Sequence, residues 1–308
     1  MAKTRIDSPP IATPDAVVVL PDHRTPFRFF CGDAFLCLQQ LPNSCIDATI
    51  TSPPYFQQKD YGTADQLGWS QGRDEYLQGM HAVLTELLRV TSNTGCCFLV
   101  IGDSYSQKCQ QLIPHRIAVM ACEMGWTLRN DLIWSKLDAA PDGAKDRWRQ
   151  SHEHVLFLVK NRSAYQFFDR AIRVPYSEVT VKRWGNNQAY GGPKATTKAS
   201  PVGQRFPRGK TFRLSPHGTI PPDVIRMATA RSKERHYATF PQQLVETFVL
   251  AVTREGNTVL DPFVGTGTSG VVTISHRRLF LGFDLNSDYL NIARGRCEAT
   301  YGQSRMNA

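Results

Sequence analysis

Residues 258–270 read Thr-Val-Leu-Asp-Pro-Phe-Val-Gly-Thr-Gly-Thr-Ser-Gly. The first three predict a short apolar strand that stops at Asp261-Pro262. Gly265, Gly267 and Gly270 then follow at G-x-G-x-x-G spacing and open a helix predicted over 269–275. Glycines at these positions allow a tight turn and let the backbone approach a ligand closely. The next strand, predicted over 279–283, ends at Asp284, 19 residues after Gly265, where a carboxylate reaches ribose hydroxyls. No Lys follows the loop, which excludes a Walker-type triphosphate site. The ligand class is an adenosine-type cofactor; nicotinamide dinucleotide and S-adenosylmethionine both fit at this point.

Working outward, strands and helices alternate. A helix is expected after Pro241, where Leu244, Phe248 and Ala251 recur every three or four residues. Another helix is expected over 287–296. Toward the N-terminus a helix is predicted over 34–41 and a strand over 46–51. That strand runs into Ser52-Pro53-Pro54-Tyr55, where two prolines forbid further sheet pairing. Residues 73–90 predict a helix with Tyr76, Met80, Val83, Leu84, Leu87 and Leu88 on one face. Strands are expected over 96–101, 128–134 and 155–159, with a helix over 113–124. This alternation implies an α/β fold: a doubly wound, mostly parallel sheet covered on both faces. There is no internal repeat.

The charge is unevenly placed. The chain of 308 residues carries a net +9, and residues 176–235 hold twelve Lys or Arg against three acids, which accounts for the whole excess. This segment is rich in Gly, Pro, Ser, Thr and Asn, with Trp184, Tyr190, Phe206 and Phe212 interleaved. Clustered cations suit phosphates and aromatic rings stack on bases. A solvated basic insertion would show the same charge, so the flanking motifs decide between the two.

No stretch approaches the roughly 20 apolar residues of a membrane span, and the first ten residues have no apolar signal core behind them. The eight cysteines have no Cys-x-x-Cys pair and several lie inside apolar runs. Reduced, structural thiols in a cytoplasmic protein are expected. His152 and His154 share one strand face, but no third ligand is suggested, so no metal is expected.

Together the motifs carry a family resemblance. Asp261-Pro262-Phe263-Val264-Gly265-Thr266-Gly267-Thr268 resembles the cofactor loop of DNA amino-methyltransferases, and Ser52-Pro53-Pro54-Tyr55 resembles their catalytic tetrapeptide. The tetrapeptide precedes the cofactor loop with the basic segment between. This order resembles the beta group, in which the Rossmann-like methyltransferase fold is circularly permuted. Gly32-Asp33, Trp134-Ser135-Lys136, His152-Glu153 and residues 236–241 extend the match. The organisation it implies is a tail over 1–26, a catalytic half over 27–174, a basic target-recognition region over 175–235 and a cofactor half over 236–308.

The resemblance implies S-adenosylmethionine as cofactor, with Asp33, Asp261, Pro262, Phe263, Gly265, Gly267, Thr268 and Asp284 around it. Asp33 reads equally well as the N-cap of the helix at Ala34. Catalysis falls to Ser52, Pro53, Pro54 and Tyr55. The reaction is direct in-line displacement on an exocyclic amine, so no cysteine nucleophile is needed, and the chain has no Pro-Cys pair of the kind cytosine-C5 methylation uses. Ser52 and the Pro53 carbonyl would accept from the amino hydrogens and free the nitrogen lone pair. Tyr55 would stack on a base flipped out of the duplex.

In the family, Ser at the first position accompanies cytosine N4, whereas Asp or Asn accompanies adenine N6. The expectation is a site-specific cytosine-N4 DNA methyltransferase of a bacterial or archaeal restriction-modification system. A solitary methylase is the alternative to such a system. Double-stranded DNA is the enzyme's partner, with a cognate restriction endonuclease acting on the same site where the system is paired. Lys182, Arg183, Arg205, Arg208, Lys210 and Arg213 are the candidate DNA contacts. Adenine N6, RNA or a protein amide are the alternative substrates.

Overall fold

The computed structural model describes residues 17–58, 60, 66–184, 214–229 and 240–306. The expected strands form, and the sheet gains members that no motif announced. The first is β1 (Phe27–Cys31), which pairs parallel with the last strand, Phe27 opposite Phe280 and Cys31 opposite Asp284. Its Phe27 and Phe29 rings pack on Tyr301 and Phe280. The end of the expected tail packs onto this body too: Val18 is buried and its N–H donates to Gln40 Oε1 (2.9 Å).

After α1 (Ala34–Gln39) come β2 (Ile46–Thr51) and α2 (Arg73–Val90), the last two with the predicted bounds. β3 (Thr91–Ile101) starts earlier than the apolar run alone implied, because Thr91 both caps α2 and opens the strand. A two-stranded hairpin, β4 (Tyr105–Ser106) and β5 (Cys109–Gln110), leads into α3 (Ile113–Glu123). The buried Asp103 carboxylate accepts the Leu112, Ile113 and Ser104 N–H groups (2.9–3.0 Å) and so holds the start of α3. β6 (Thr127–Lys136) and β7 (His152–Val159) follow, each longer than predicted.

α4 (Glu178–Trp184) belongs to a separate compact unit, Asp169–Pro222. Within that unit Arg173 bridges Asp169 Oδ2 (2.6 Å) and the Gly218 carbonyl (2.6 Å), and Val174 pairs with Thr219. β8 (Val224–Met227) lies inside the span 175–235 but pairs parallel with β6. The larger unit therefore resumes at Asp223, earlier than the boundary at 236 that the resemblance implied. α5 (Gln242–Val252), β9 (Thr258–Asp261), α6 (Thr268–Ser275), β10 (Leu279–Asp284) and α7 (Ser287–Met306) complete the body.

Among the described residues the main sheet has eight strands in the order β1-β10-β9-β2-β3-β7-β6-β8. The pairs from β1 through β3 are parallel, as is β6 with β8; β7 runs antiparallel to both β3 and β6. The fold is thus α/β with a mostly parallel sheet. Strand β1, the first in sequence among the described residues, lies beside β10, the last.

β9 and β2 are neighbours, but the chain continues from β9 to β10 on one side and from β2 to β3 on the other. Loops leaving these two strand ends diverge and leave a crevice, the usual ligand position in such sheets. No described helix is long and apolar enough to cross a membrane.

Candidate active site

The crevice is a cavity of about 360 Å³, within the range of small-molecule sites. Its walls come from four places. The β1–α1 turn gives Gly32, Asp33 and Phe35, and the loop after β2 gives Ser52 and Pro54. The loop after β9 gives Pro262 through Thr266 and Thr268, and the end of β10 gives Asp284, Leu285 and Asn286. Gly79, Ala82 and Val83 of α2, with Phe240 and Tyr289, close it. The sequence motifs marked the loops, and the match over 236–241 takes in Phe240, but they did not mark the residues from α2 or Tyr289. Those lie on helix faces whose composition resembles any packed surface.

Gly265 has φ +51° and Gly267 φ +81°, so the loop turns where L side chains are strained. The two glycines serve different ends. Gly265 lines the cavity, and a Cβ there would meet no atom within 4 Å. Gly267 is not among the cavity walls. It caps α6, and a Cβ there would sit 2.6 Å from Ala293 Cβ of α7.

Asp261 is also absent from the walls. It is fully buried, and it accepts from Thr51 Oγ1 (2.6 Å), Ser269 Oγ (2.5 Å) and the Phe263 N–H (3.1 Å). It ties the end of β2 to the cofactor loop and to α6, rather than facing a ligand. Burial pushes its carboxyl up to about 6, against the three hydrogen bonds that favour its charge.

Asp284 lies in the wall. Its Oδ2 accepts the Gly265 N–H (2.8 Å) and its Oδ1 the Asn286 N–H (2.9 Å), which shapes the loop opposite it. Burial raises its pKa as well. Carboxylate oxygens have two lone pairs each, so acceptor capacity remains toward the cavity. Asp33 combines both readings: its Oδ1 accepts the Leu36 N–H (3.0 Å) as N-cap of α1, and it lines the cavity. An acid at a strand end, a glycine turn open to the cavity and the Phe35, Phe263 and Phe240 rings suit an adenosine-type cofactor.

The Ser52-Pro53-Pro54-Tyr55 tetrapeptide is held from far away in the chain. Ser52 Oγ donates to Tyr55 Oη (3.1 Å), and Tyr55 Oη donates to Glu153 Oε2 (2.5 Å) on β7. Glu153, nearly buried, is ion-paired with Lys136 at the end of β6. Tyr76 Oη on α2 donates to the Pro54 carbonyl (2.9 Å), and Pro53 is buried. The Tyr55 ring lies against Gly102, where a Cβ would come within 3.0 Å of the ring. Glu153 and Lys136 hold Tyr55 in place, although sequence reasoning left them without a role. Their signal was the pair of short matches, Trp134-Ser135-Lys136 and His152-Glu153.

The other histidines of that strand find partners the pattern did not suggest. Asp131 Oδ1 and Oδ2 lie 2.9 and 3.0 Å from His154 Nδ1, and the His115 ring from α3 stands edge-on to His154. His115, Asp131 and His154 bring ligand-type atoms within 4.8 Å of one another, so a third potential ligand is present after all. The imidazole–carboxylate bond already accounts for the contacts of Asp131. Of the candidate DNA contacts, Lys182 lies on α4, as does the backbone of Arg183. Arg205, Arg208, Lys210 and Arg213 fall outside the described residues.

Comparison with known proteins bears on this geometry. The profile of the DNA methylase family of N6 and N4 enzymes matches residues 46–295. The type II methyltransferase M.Cfr9I of Citrobacter freundii is 30% identical over 298 residues, covering 87% of each chain. M.SmaI of Serratia marcescens is 28% identical over 87% of this chain and 90% of that one. Among solved structures, the cytosine-N4-specific PvuII DNA methyltransferase superposes with TM-score 0.64 at 17% identity, over 91% of this chain and 92% of that one. A DNA modification methylase of Thermus thermophilus, complexed with S-adenosyl-L-methionine, gives TM-score 0.57 at 21% identity, over 89% and 94%.

Proposed function

This chain belongs to the DNA methylase family, and from that premise we propose that it methylates the N4 amine of a cytosine flipped out of double-stranded DNA. The cofactor is S-adenosylmethionine, which when bound supplies an electrophilic methyl group. Pro262, Phe263, Gly265 and Thr268, with Asp33 and Asp284, would hold it in the cavity they line. Asp284 would accept from ribose hydroxyls.

The observation that carries the reading is the direction of the hydrogen-bond line. Ser52 gives its one proton to Tyr55, and Tyr55 gives its own to Glu153, which is anchored by Lys136. Ser52 Oγ therefore presents only lone pairs to other partners, and each bond in the line polarises the next. An acceptor of this kind at the cavity wall draws on an amino hydrogen and returns lone-pair density to the nitrogen. When the amine forms its new N–C bond it must shed one proton. The line Ser52–Tyr55–Glu153 is a path for it: Ser52 takes the amine proton as its own passes to Tyr55, and Tyr55 passes its proton to the carboxylate. No covalent intermediate forms. Burial pushes the thiols of Cys37 up to about 11 and of Cys96 and Cys297 up to about 12, and raises that of Cys97 too, which leaves all four protonated.

Two features favour cytosine over adenine: Ser at the first tetrapeptide position, and the cytosine-N4-specific PvuII enzyme among the folds that superpose. Adenine N6 is the second reading, since it offers an amine beside a ring nitrogen in the same arrangement. The basic segment, including Lys182, Arg183, Arg205, Arg208, Lys210 and Arg213, would carry the phosphate contacts. The relatives' type II methyltransferase names are compatible with a restriction endonuclease of the same site, and a solitary methylase is the alternative.

Modification-sensitive sequencing of DNA from cells expressing the protein tests the proposal. N4-methylcytosine at one recurring sequence is expected. N6-methyladenine would move the reading to the alternative, and an unmodified genome beside methylated RNA or protein would overturn it.

A further inference from the structure

The loop joining β6 to β7, residues 137–151, holds one side chain that folding leaves unused. Trp148 is 94% exposed; the next most exposed Trp, Tyr or Phe among the described residues, Trp69, is 43% exposed. An indole so placed gains nothing from burial, yet the loop that carries it is built rather than slack. Arg147 Nη1 bonds Asp142 Oδ2 (2.8 Å), and its guanidinium covers the Tyr105 ring at 4.0 Å. Lys108 pairs with Asp146 (2.7 Å), and Asp138 accepts the Thr229 N–H (2.7 Å). The loop's three acids are thereby engaged. Arg149, on the other side of the indole, bonds the Ala139 carbonyl (3.0 Å).

The same loop is tied to the catalytic tetrapeptide. It begins after Lys136 and ends before Glu153, the pair that anchors Tyr55. Gln150 Nε2 donates to the Asp103 carbonyl (3.2 Å), and Gln58, three residues past Tyr55, donates to that carbonyl too (2.6 Å). Trp148 is two residues from Gln150, so their Cα atoms are at most about 7 Å apart. An exposed indole, flanked in sequence by two arginines, thus lies on the loop whose ends carry the anchor of Tyr55.

Flipping a base opens a gap in the stack, and proteins that open DNA commonly fill such gaps with a rigid apolar or aromatic side chain. Resting on the DNA methylase reading above, we propose that Trp148 enters the duplex at the target position and stacks in the space the base vacates, while Arg149 pairs with a flanking phosphate. The occupant is double-stranded DNA. Arg147 is neutralised by Asp142, whereas Arg149 has only a backbone carbonyl as partner, and a cation beside an exposed aromatic ring suits a polyanion with a stacked interior.

The test uses the full chain and a duplex bearing the site found by sequencing, with 2-aminopurine in place of the target base for the flipping measurement. Trp148→Ala should lower the single-turnover methylation rate and the target-base fluorescence by roughly five- to 150-fold, the span of base–aromatic stacking. Cofactor affinity and thermal midpoint should not change, and Trp148→Phe should recover much of the loss. Arg149→Ala should reduce the log–log salt slope of DNA binding by about 0.9. If Trp148→Ala methylates and flips as the wild type does, the proposal is overturned and the methylase reading stands. A loss in Trp148→Ala that comes with a lower thermal midpoint or weaker cofactor binding also overturns it. A wild-type protein that methylates no duplex removes the reading and the wedge together.

Discussion

The cofactor loop and the catalytic loop lie side by side but are held by contacts of opposite kinds. The cofactor loop is fastened almost within its own neighbourhood. Asp261 bonds Ser269 eight residues on, and Gly265 bonds Asp284 nineteen residues on. The catalytic loop is fastened across the chain: Tyr55 meets Glu153 ninety-eight residues away, and Lys136 arrives from the neighbouring strand. A bond from Thr51 Oγ1 at the end of β2 to Asp261 joins the two loops. A locally closed loop keeps its shape if the rest of the sheet shifts, whereas the catalytic loop depends on the register of β6 and β7. The first suits binding a constant cofactor. The second couples Ser52 to the strands that carry the Trp148 loop.

Breaking the long-range line should have the largest effect. Glu153→Gln removes the carboxylate at its end while keeping the side-chain shape. Single-turnover methylation should slow by roughly 10²–10³, the scale of removing one preorganised hydrogen bond, with cofactor affinity unchanged by calorimetry. A wild-type rate would show that the line does not serve the reaction. Ser52→Ala should match it within about tenfold, and the double variant should be little slower than either, because both interrupt one line.

Breaking the local closure should show as lost stability instead. Asp261→Ala leaves two buried hydroxyls and one N–H without their acceptor, at about 1–3 kcal/mol for each group left unsatisfied. A denaturant midpoint equal to wild type would contradict the role given to Asp261. Asp261→Asn sharpens the point through pH. The native carboxyl titrates near 6, above its ordinary 3.8, so between those values the native state holds a proton that the unfolded chain has released. Wild-type stability should therefore fall as pH rises from about 4 to 6, by about 3 kcal/mol relative to the Asn variant. Parallel unfolding curves across that range would place the titration elsewhere.

A smaller effect is expected at the cavity wall. Asp284→Ala should weaken cofactor binding by about 1.5–3 kcal/mol and leave DNA affinity intact, which calorimetry and a salt-dependent binding series would separate. The smallest concerns the segment beyond the described residues. Replacing Arg205, Arg208 and Lys210 with Ala should reduce the log–log salt slope by about 0.9 for each phosphate no longer neutralised.

Sequence alone determined the parts whose constraints are local. A glycine turn needing positive φ, two prolines ending a strand, and apolar periods of two and 3.6 each act within a few residues. The bounds of β2 and α2 and the order of the two motifs were therefore legible in the linear chain. β1 and β8 were not, because each is a short edge strand defined by its neighbour more than by its own residues. The tertiary structure alone decided which carboxylates face the cavity. Asp261 and Asp284 both end strands beside the same loop, but one turns inward to three donors and the other lines the wall. It also brought Glu153 and Lys136 to Tyr55, since the pairing of antiparallel β6 and β7 is a long-range choice made by the packed sheet. A hydrogen bond between residues a hundred positions apart leaves no trace in the local pattern of either.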